Sequence, residues 1–544
     1  MSPSRPATRP AFTLIEVMVS IALVLILVLG IHQVFRLTSD TIGAGQSLGS
    51  KARDYRAVQG TFYNDLSMAV PPQSSNGGSL DDGPFLLIRS ERTTMFRSRS
   101  DQLADRDGDP ATIDVDGNNT EGEPAVPGEV VRTTDLNDRS HRLDRLVFFA
   151  RGSFRRQTGG DVASGGRSPL VADMSAREAL LWYGHLKLSD YTTPSGDPRQ
   201  YVSRAPGERV PPGSPAGAAQ PRNALNYYAA DWTLGRVVIG LGDTADPAGT
   251  GARELVSDDS GAAQLFYRRD GALPPLHAGS IARPVVSDDG WQLEWSRYDL
   301  TNTSIPHFRL LLARYLDTSR AKPGMRPWPD LMAPLQFEAD PLPRRPLTAA
   351  AAARAAPVLL ANCSQFADEY AGDFVTQRRQ DPYGSGSAQA PPDDGVVLSN
   401  QPDDVLDFVV LPDGSHNVRW YGLPRDTTGD GKVPGGLGRG QSNGMPDVVP
   451  LRDVRRTALF RAAGEPDEAP FERMYDENGR PRLPLPAGGD YARSMRPDAT
   501  YVAAWGPDTA GAPRPLMLRI VFALDYPTGR LNAAQTYEYV IKLP

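Results

Sequence analysis

The chain has almost no cysteine: Cys363 is the only one among its 544 residues. A single thiol excludes an intrachain disulfide and any zinc site built from several cysteines. The six histidines are scattered along the sequence, and no two have the i, i+4 spacing that holds a metal on one face of a helix. The sequence also lacks a glycine-rich loop that ends in Gly-Lys-Ser/Thr. We therefore expect a protein that is not an enzyme and has no organic cofactor.

An excess of positive charge is missing as well. The chain has 58 Lys and Arg residues against 65 Asp and Glu residues, which leaves a net charge of −7. Nucleic-acid-binding domains are typically basic, so nucleic acid is not among the expected partners. Glycine (52 residues) and proline (50 residues) are more frequent than average, which favours a loop-rich globular body.

Charge is nearly absent from residues 12–31, where Glu16 is the only charged residue. Twenty helical residues rise about 30 Å, enough to cross the hydrocarbon core of a bilayer. The preceding residues 1–11 carry Arg5 and Arg9 and no acid, which predicts a cytoplasmic N-terminus and a periplasmic remainder. A carboxylate at membrane depth costs roughly 2–3 kcal/mol or more, so we expect Glu16 to have a partner.

Residues 11–17, Ala-Phe-Thr-Leu-Ile-Glu-Val, resemble the N-terminal motif of type IV prepilins and type II secretion pseudopilins. The resemblance implies that prepilin peptidase cuts between Ala11 and Phe12 and methylates the new N-terminus on Phe12. It also implies that Glu16 pairs with the N-terminal amine of a neighbouring pilin or pseudopilin subunit in the assembly. Ala11 departs from the family pattern, which usually has glycine before the cut.

Residues 146–152, 182–185 and 361–366 and a pair of C-terminal strands more loosely resemble the enlarged J-type minor pseudopilins of planctomycete-like bacteria. This resemblance implies a minor subunit near the tip of a short periplasmic pseudopilus. It also implies a head of antiparallel sheets behind a long helix.

The order of patterns along the chain predicts an α+β fold. Helical spacing of apolar residues continues beyond the membrane segment as far as Val70, and two prolines follow it. Near the C-terminus, residues 516–525 alternate between the two faces of a strand, and residues 536–543 return after a turn, which predicts a hairpin. We therefore expect a leader (1–11), a transmembrane and assembly helix (12–31), its amphipathic continuation (32–70) and a periplasmic β-rich head with large loop insertions (71–544).

An acidic segment at about 101–128 is the one candidate metal site. Asp105, Asp107 and Asp109 alternate as in oxygen-rich calcium loops, and Asp116 falls at the twelfth position. Pro110 stands where such a loop needs glycine, and the twelfth residue is normally glutamate. A solvated acidic loop is the favoured interpretation, and a calcium site is the alternative.

Three other interpretations remain open at this stage, the weakest of which is a membrane-anchored hydrolase for which the sequence names no catalytic residues. The apolar run could be an ordinary signal peptide cleaved near residues 43–45, although it is longer than a usual signal core and contains Glu16. Alternatively, the chain could be a membrane-anchored periplasmic binding protein that is not part of a pilus. That alternative would use exposed aromatic residues such as Trp420 and Tyr421 to bind sugars or polymers. The favoured function is a structural subunit of a type II secretion pseudopilus or type IV pilus assembly.

Overall fold

A single long helix, α1 (Leu14–Ser67), begins the computed structural model of the chain and runs for 54 residues. At 1.5 Å per residue it is about 80 Å long. Val58, Phe62 and Leu66 recur at intervals of four along its last third and are buried, so this part of α1 packs against the rest of the protein.

The structure describes a defined subset of the chain. The described residues are 14–70, 85–98, 140–155, 175–190, 202–208, 225–241, 300–301, 335–339, 357–374, 376–378, 396–399, 402–410, 416–423, 448–449, 458–461, 500–506, 513–525 and 534–544. The acidic segment 101–128 lies outside them.

The described residues after α1 form mainly β-strands. In chain order these are β1 (Leu86–Thr94), β2 (Ser140–Arg142), β3 (Arg145–Arg155), β4 (Ser175–His185), β5 (Lys187–Asp190), β6 (Val202–Arg204), β7 (Thr233–Leu241), β8 (Leu300–Thr301), β9 (Glu338–Ala339), β10 (Val358–Ala361), β11 (Cys363–Gly372), β12 (Thr376–Arg378), β13 (Val396–Ser399), β14 (Phe408–Val410), β15 (His416–Val418), β16 (Trp420–Tyr421), β17 (Val448–Val449), β18 (Ala458–Arg461), β19 (Thr500–Trp505), β20 (Pro515–Leu524) and β21 (Gln535–Lys542). A short 3-10 turn (Ala229–Asp231) precedes β7.

Within the described residues, the larger sheet has nine strands. Its main path runs β10-β7-β4-β3-β1-β19-β18, with β2 beside β1 and β8 beside β7. Every pair along this path is antiparallel, and only the short β8 joins in a parallel direction. We call it the first sheet.

The second sheet has five strands within the described part of the chain, in the order β17-β16-β11-β20-β21. Its strands β20 and β21 pair in an antiparallel hairpin, with Leu518 opposite Ile541 and Phe522 opposite Tyr537. The C-terminal hairpin that the alternating pattern predicts is therefore confirmed. Three smaller sheets, β12-β13, β14-β15 and β6-β5-β9, complete the described strands.

One hydrophobic core joins the helix to both large sheets. It contains Val58 and Phe62 from α1, Phe148 from the first sheet, and Phe366 and Phe522 from the second. The chain leaving α1 immediately hydrogen-bonds to the first sheet, because the Val70 amide donates to the Phe149 carbonyl at 2.9 Å. The predicted α+β class, a long N-terminal apolar helix with a mainly antiparallel β-sheet body, is confirmed.

Candidate assembly helix and its attachment to the head

The first part of α1 presents an apolar surface on every side. From Leu14 to Gly43 the helix is long and apolar enough to cross a membrane, and none of the 18-residue apolar window within it is buried in the protein. Leu14 and Leu29, for example, are 81% and 73% exposed. A helix that is hydrophobic all round is stable only when other apolar groups cover it, as in a membrane or in a bundle of helices. This segment is therefore the candidate functional surface.

Glu16 lies in the first turn of α1, and its side chain is exposed on the apolar segment. A carboxylate in the first turn interacts favourably with the positive end of the helix dipole. Ala11 and Phe12 lie outside the described residues, so the predicted cut and the predicted pairing of Glu16 stay predictions.

The candidate calcium ligands Asp105, Asp107, Asp109 and Asp116 also lie outside the described residues. Within the part of the chain that the structure describes, no three His, Cys, Asp or Glu side chains form a group that could hold a metal ion.

Aromatic stacking attaches the last third of α1 to both sheets. The Phe62 ring is stacked 4.2 Å from the Tyr183 ring of the first sheet and 5.9 Å from the Phe366 ring of the second, measured between centroids. About two turns earlier in the helix, Tyr55 is stacked 4.3 Å from Tyr537. Buried aromatic pairs of this kind add about 0.5–1.5 kcal/mol each beyond the area they remove from water. The helix is thus attached at the line where the two sheets meet.

A buried ion pair adds a directional contact to this attachment. Asp65 of α1 accepts two hydrogen bonds from the guanidinium of Arg236 in β7, Nε to Oδ2 at 2.6 Å and Nη2 to Oδ1 at 2.8 Å. The Tyr183 hydroxyl of β4 also donates to Asp65 Oδ2. Bidentate arginine–carboxylate pairs fix the relative orientation of their two elements. We call Asp65, Tyr183 and Arg236 the helix clamp.

The electrostatics of the helix clamp keep Tyr183 and Arg236 in the protonation states that donate to Asp65. Burial, and then the charge of Asp65, raise the pKa of Tyr183 well above its ordinary value, so the phenol keeps the proton that it donates. Burial is the largest single influence on Arg236 and lowers its pKa, but the hydrogen bonds and charges of Asp65 and Tyr183 together outweigh burial, so the pKa is raised. Arg236 therefore stays charged at any pH at which the protein is folded.

Sequence reasoning missed the helix clamp, although one signal was present. Asp65 is an acid on the same helical face as Val58, Phe62 and Leu66, three residues after Phe62. An acid on an otherwise apolar face predicts a buried partner, because an unpaired buried charge is costly. The sequence does not identify the partner, since Arg236 lies 171 residues away.

The prediction that Trp420 and Tyr421 are exposed is wrong. They are only 7% and 2% exposed. The Arg519 guanidinium lies over the Trp420 ring at 4.7 Å, and the Tyr421 hydroxyl donates to Asp407 Oδ2 at 2.6 Å. Both rings are therefore parts of the packed head, and neither supplies an aromatic binding surface.

These features define a class of protein: one with an exposed apolar helix that a membrane or a helical assembly could cover, packed at its other end against a β-rich head. The comparison with protein families agrees, because the family model described as "Prokaryotic N-terminal methylation motif" matches residues 9–31. This type IV prepilin-like motif indicates a pilin- or pseudopilin-like precursor, and it implies processing by prepilin peptidase and assembly with pilin subunits. The apolar helix fits an inner-membrane anchor, as in prepilins. No curated protein and no solved structure matches the chain.

Proposed function

We propose that the protein is a structural, non-enzymatic minor subunit of a type II secretion pseudopilus or a type IV pilus assembly, of the J-type kind. Prepilin peptidase cuts the precursor between Ala11 and Phe12 and methylates Phe12, so that the mature chain begins directly with its assembly helix. The N-terminus faces the cytoplasm before the cut, and the head faces the periplasm.

The observation that carries this proposal is the change in environment along α1. Up to Ile42 its apolar side chains are exposed, whereas from Lys51 onward the helix contacts the head. One of these contacts, at the start of this part of the helix, joins Lys51 Nζ to the Ala361 carbonyl at 3.4 Å. The preceding 37 residues of helix, Leu14 to Ser50, are about 56 Å long, which exceeds the roughly 30 Å of a bilayer core. Such a segment can cross the inner membrane in the precursor and pack against neighbouring helices after extraction.

Glu16 gives this helix a means of selecting its neighbours. In an apolar environment, a carboxylate and the N-terminal ammonium of an adjacent subunit neutralise each other and lower the cost of burying both. Pairing of Glu16 with the methylated amine of Phe12 in another subunit would therefore set the axial position of one helix against the next.

The test is the variant Glu16→Ala, expressed in a cell that contains the other subunits. Membrane insertion should remain intact, because removing a charge from an apolar run does not hinder insertion. Incorporation, measured by co-purification with the other subunits, should fall about tenfold or more, equivalent to about 1.4 kcal/mol of assembly free energy.

Ser20→Ala is the matched control. Its hydroxyl donates to the Val17 carbonyl within the same helix, at 2.8 Å, so the substitution removes a polar group without removing a charge. This variant should assemble normally. If Glu16→Ala assembles as well as Ser20→Ala does, the proposed role of Glu16 is wrong.

A further inference from the structure

Asp368 is a carboxylic acid in the middle of the hydrophobic core. It lies in β11 between Phe366 and Tyr370, which share its face of the strand and are both part of that core. The Asp368 side chain is completely buried, and neither of its carboxyl oxygens has a hydrogen-bond partner among the described residues. Buried polar groups nearly always have partners, so this one requires a physical explanation.

The charged group that acts most strongly on Asp368 is another acid. Asp144, which lies between β2 and β3 of the first sheet, accepts a hydrogen bond on Oδ2 from the backbone amide of Asp368 at 2.9 Å. Arg142 is already engaged with Asp144, through Nε to Oδ1 at 2.9 Å and Nη2 to Oδ2 at 2.5 Å. Its Nη1 donates to the Leu423 carbonyl at 2.9 Å. The arginine at this position therefore neutralises Asp144 and makes no hydrogen bond to Asp368.

The other titratable groups around Asp368 do not supply a positive charge to it. Glu369, the next residue of β11, is an acid that bonds to Arg519 at 2.5 Å. Tyr539 of β21 interacts with Asp368 and is a neutral phenol whose own pKa is raised, first of all by burial. Burial and then the Asp144 charge raise the pKa of Asp368 well above its ordinary value, and Arg142 opposes them only in part.

Asp368 also lies where the two large sheets are joined. The Asp144 amide donates to the Phe366 carbonyl at 3.0 Å, and the Asp368 amide donates back to the Asp144 side chain. A negative charge on Asp368 would therefore be repelled by the charge of Asp144. This repulsion would weaken the contact that the two hydrogen bonds make between the sheets.

We propose that Asp368 is a proton-binding site of the head, held as the neutral acid in the folded protein, and that loss of its proton weakens the junction between the two sheets. The stability of the head then depends on the pH around it. The folded state holds this proton more tightly than the unfolded state, so the stabilisation is complete below the unfolded pKa of about 3.9. It is lost as the pH rises from there through the higher pKa of the folded state.

Infrared spectroscopy of the full-length protein in detergent tests the protonation state. The wild type should show the carbonyl stretch of a protonated carboxyl group at neutral pH, and Asp368→Asn should lose intensity in that band. Asp525→Asn is the control, because Asp525 is equally buried but is in contact with Arg97. The absence of a protonated-carboxyl band from the wild type would overturn the proposal even if the variant did not fold.

Unfolding by urea at several pH values tests the consequence. Above pH 4, the ratio of the wild-type unfolding constant to that of Asp368→Asn should rise by up to tenfold per pH unit. The reason is that the folded wild type binds one proton that the unfolded chain has lost. At neutral pH the asparagine variant should unfold at a higher urea concentration than the wild type. Equal pH dependence of the two proteins would contradict the proposal.

Discussion

Substitution of Asp65 by asparagine should loosen α1 from the head. The Asp65 side chain is 3% exposed, and its partner Arg236 is 23% exposed. Removing one member of a buried ion pair costs about 3–5 kcal/mol, because the other charge is left without compensation. Because water hydrates part of the Arg236 side chain, the destabilisation is smaller than for a fully buried charge. We therefore expect a decrease of about 2–3 kcal/mol in the free energy of unfolding.

The assay is urea unfolding of the full-length protein in detergent, followed by tryptophan fluorescence. Trp182, in the same strand as Tyr183, is completely buried and reports on the first sheet. The matched control is Asp54→Asn, which makes the same change at an exposed position of α1 and should alter stability by about 0.5 kcal/mol or less.

A double variant separates the ion pair from simple loss of packing. Asp65→Leu with Arg236→Met replaces both charges by apolar groups and should cost less than Asp65→Asn alone, because neither charge is left buried without the other. If Asp65→Asn is no more destabilising than Asp54→Asn, the helix clamp does not hold the helix to the head.

Three further predictions concern the core and its pH dependence. Phe62→Ala should destabilise the protein by about 3–5 kcal/mol in the same urea assay, whereas Tyr63→Ala, at a neighbouring position that is 63% exposed, should cost about 0.5 kcal/mol or less. Trp420→Ala should destabilise the head by about 3 kcal/mol, and a variant that unfolds like the wild type would contradict the burial of that ring. Burial lowers the pKa of His185 to about 4, so the folded state favours the neutral imidazole. The contribution of His185 to the stability of the fold is therefore complete above pH 6.5 and is lost as the pH falls toward 4. His185→Gln should therefore flatten the dependence of the urea midpoint on pH between these values, and an unchanged dependence would refute this.

Features with a local pattern could be predicted from the sequence. The apolar run and the helical spacing after it predict α1, and the alternation of Leu518, Ile520 and Phe522 predicts β20 and its hairpin with β21. In both cases the residues that decide the structure are close together in the chain.

Contacts between distant strands could not be predicted in this way. The hydrogen bond from Asp368 to Asp144 spans 224 residues, and no spacing rule connects two such positions. The burial of Trp420 was missed for the same reason, since Arg519 covers it from a distant strand. An aromatic residue in a two-residue strand has the same local pattern whether it lies on the surface or in the core.

The most direct test of the proposed function is the mature N-terminus, determined by mass spectrometry of protein purified from native membranes. The proposal predicts a chain that begins with N-methylated Phe12, despite alanine at position 11. A chain that begins near Met1 would instead indicate a membrane anchor outside any pilus. A chain that begins near Gly45 would indicate a cleaved signal peptide and would contradict the assembly role of Glu16.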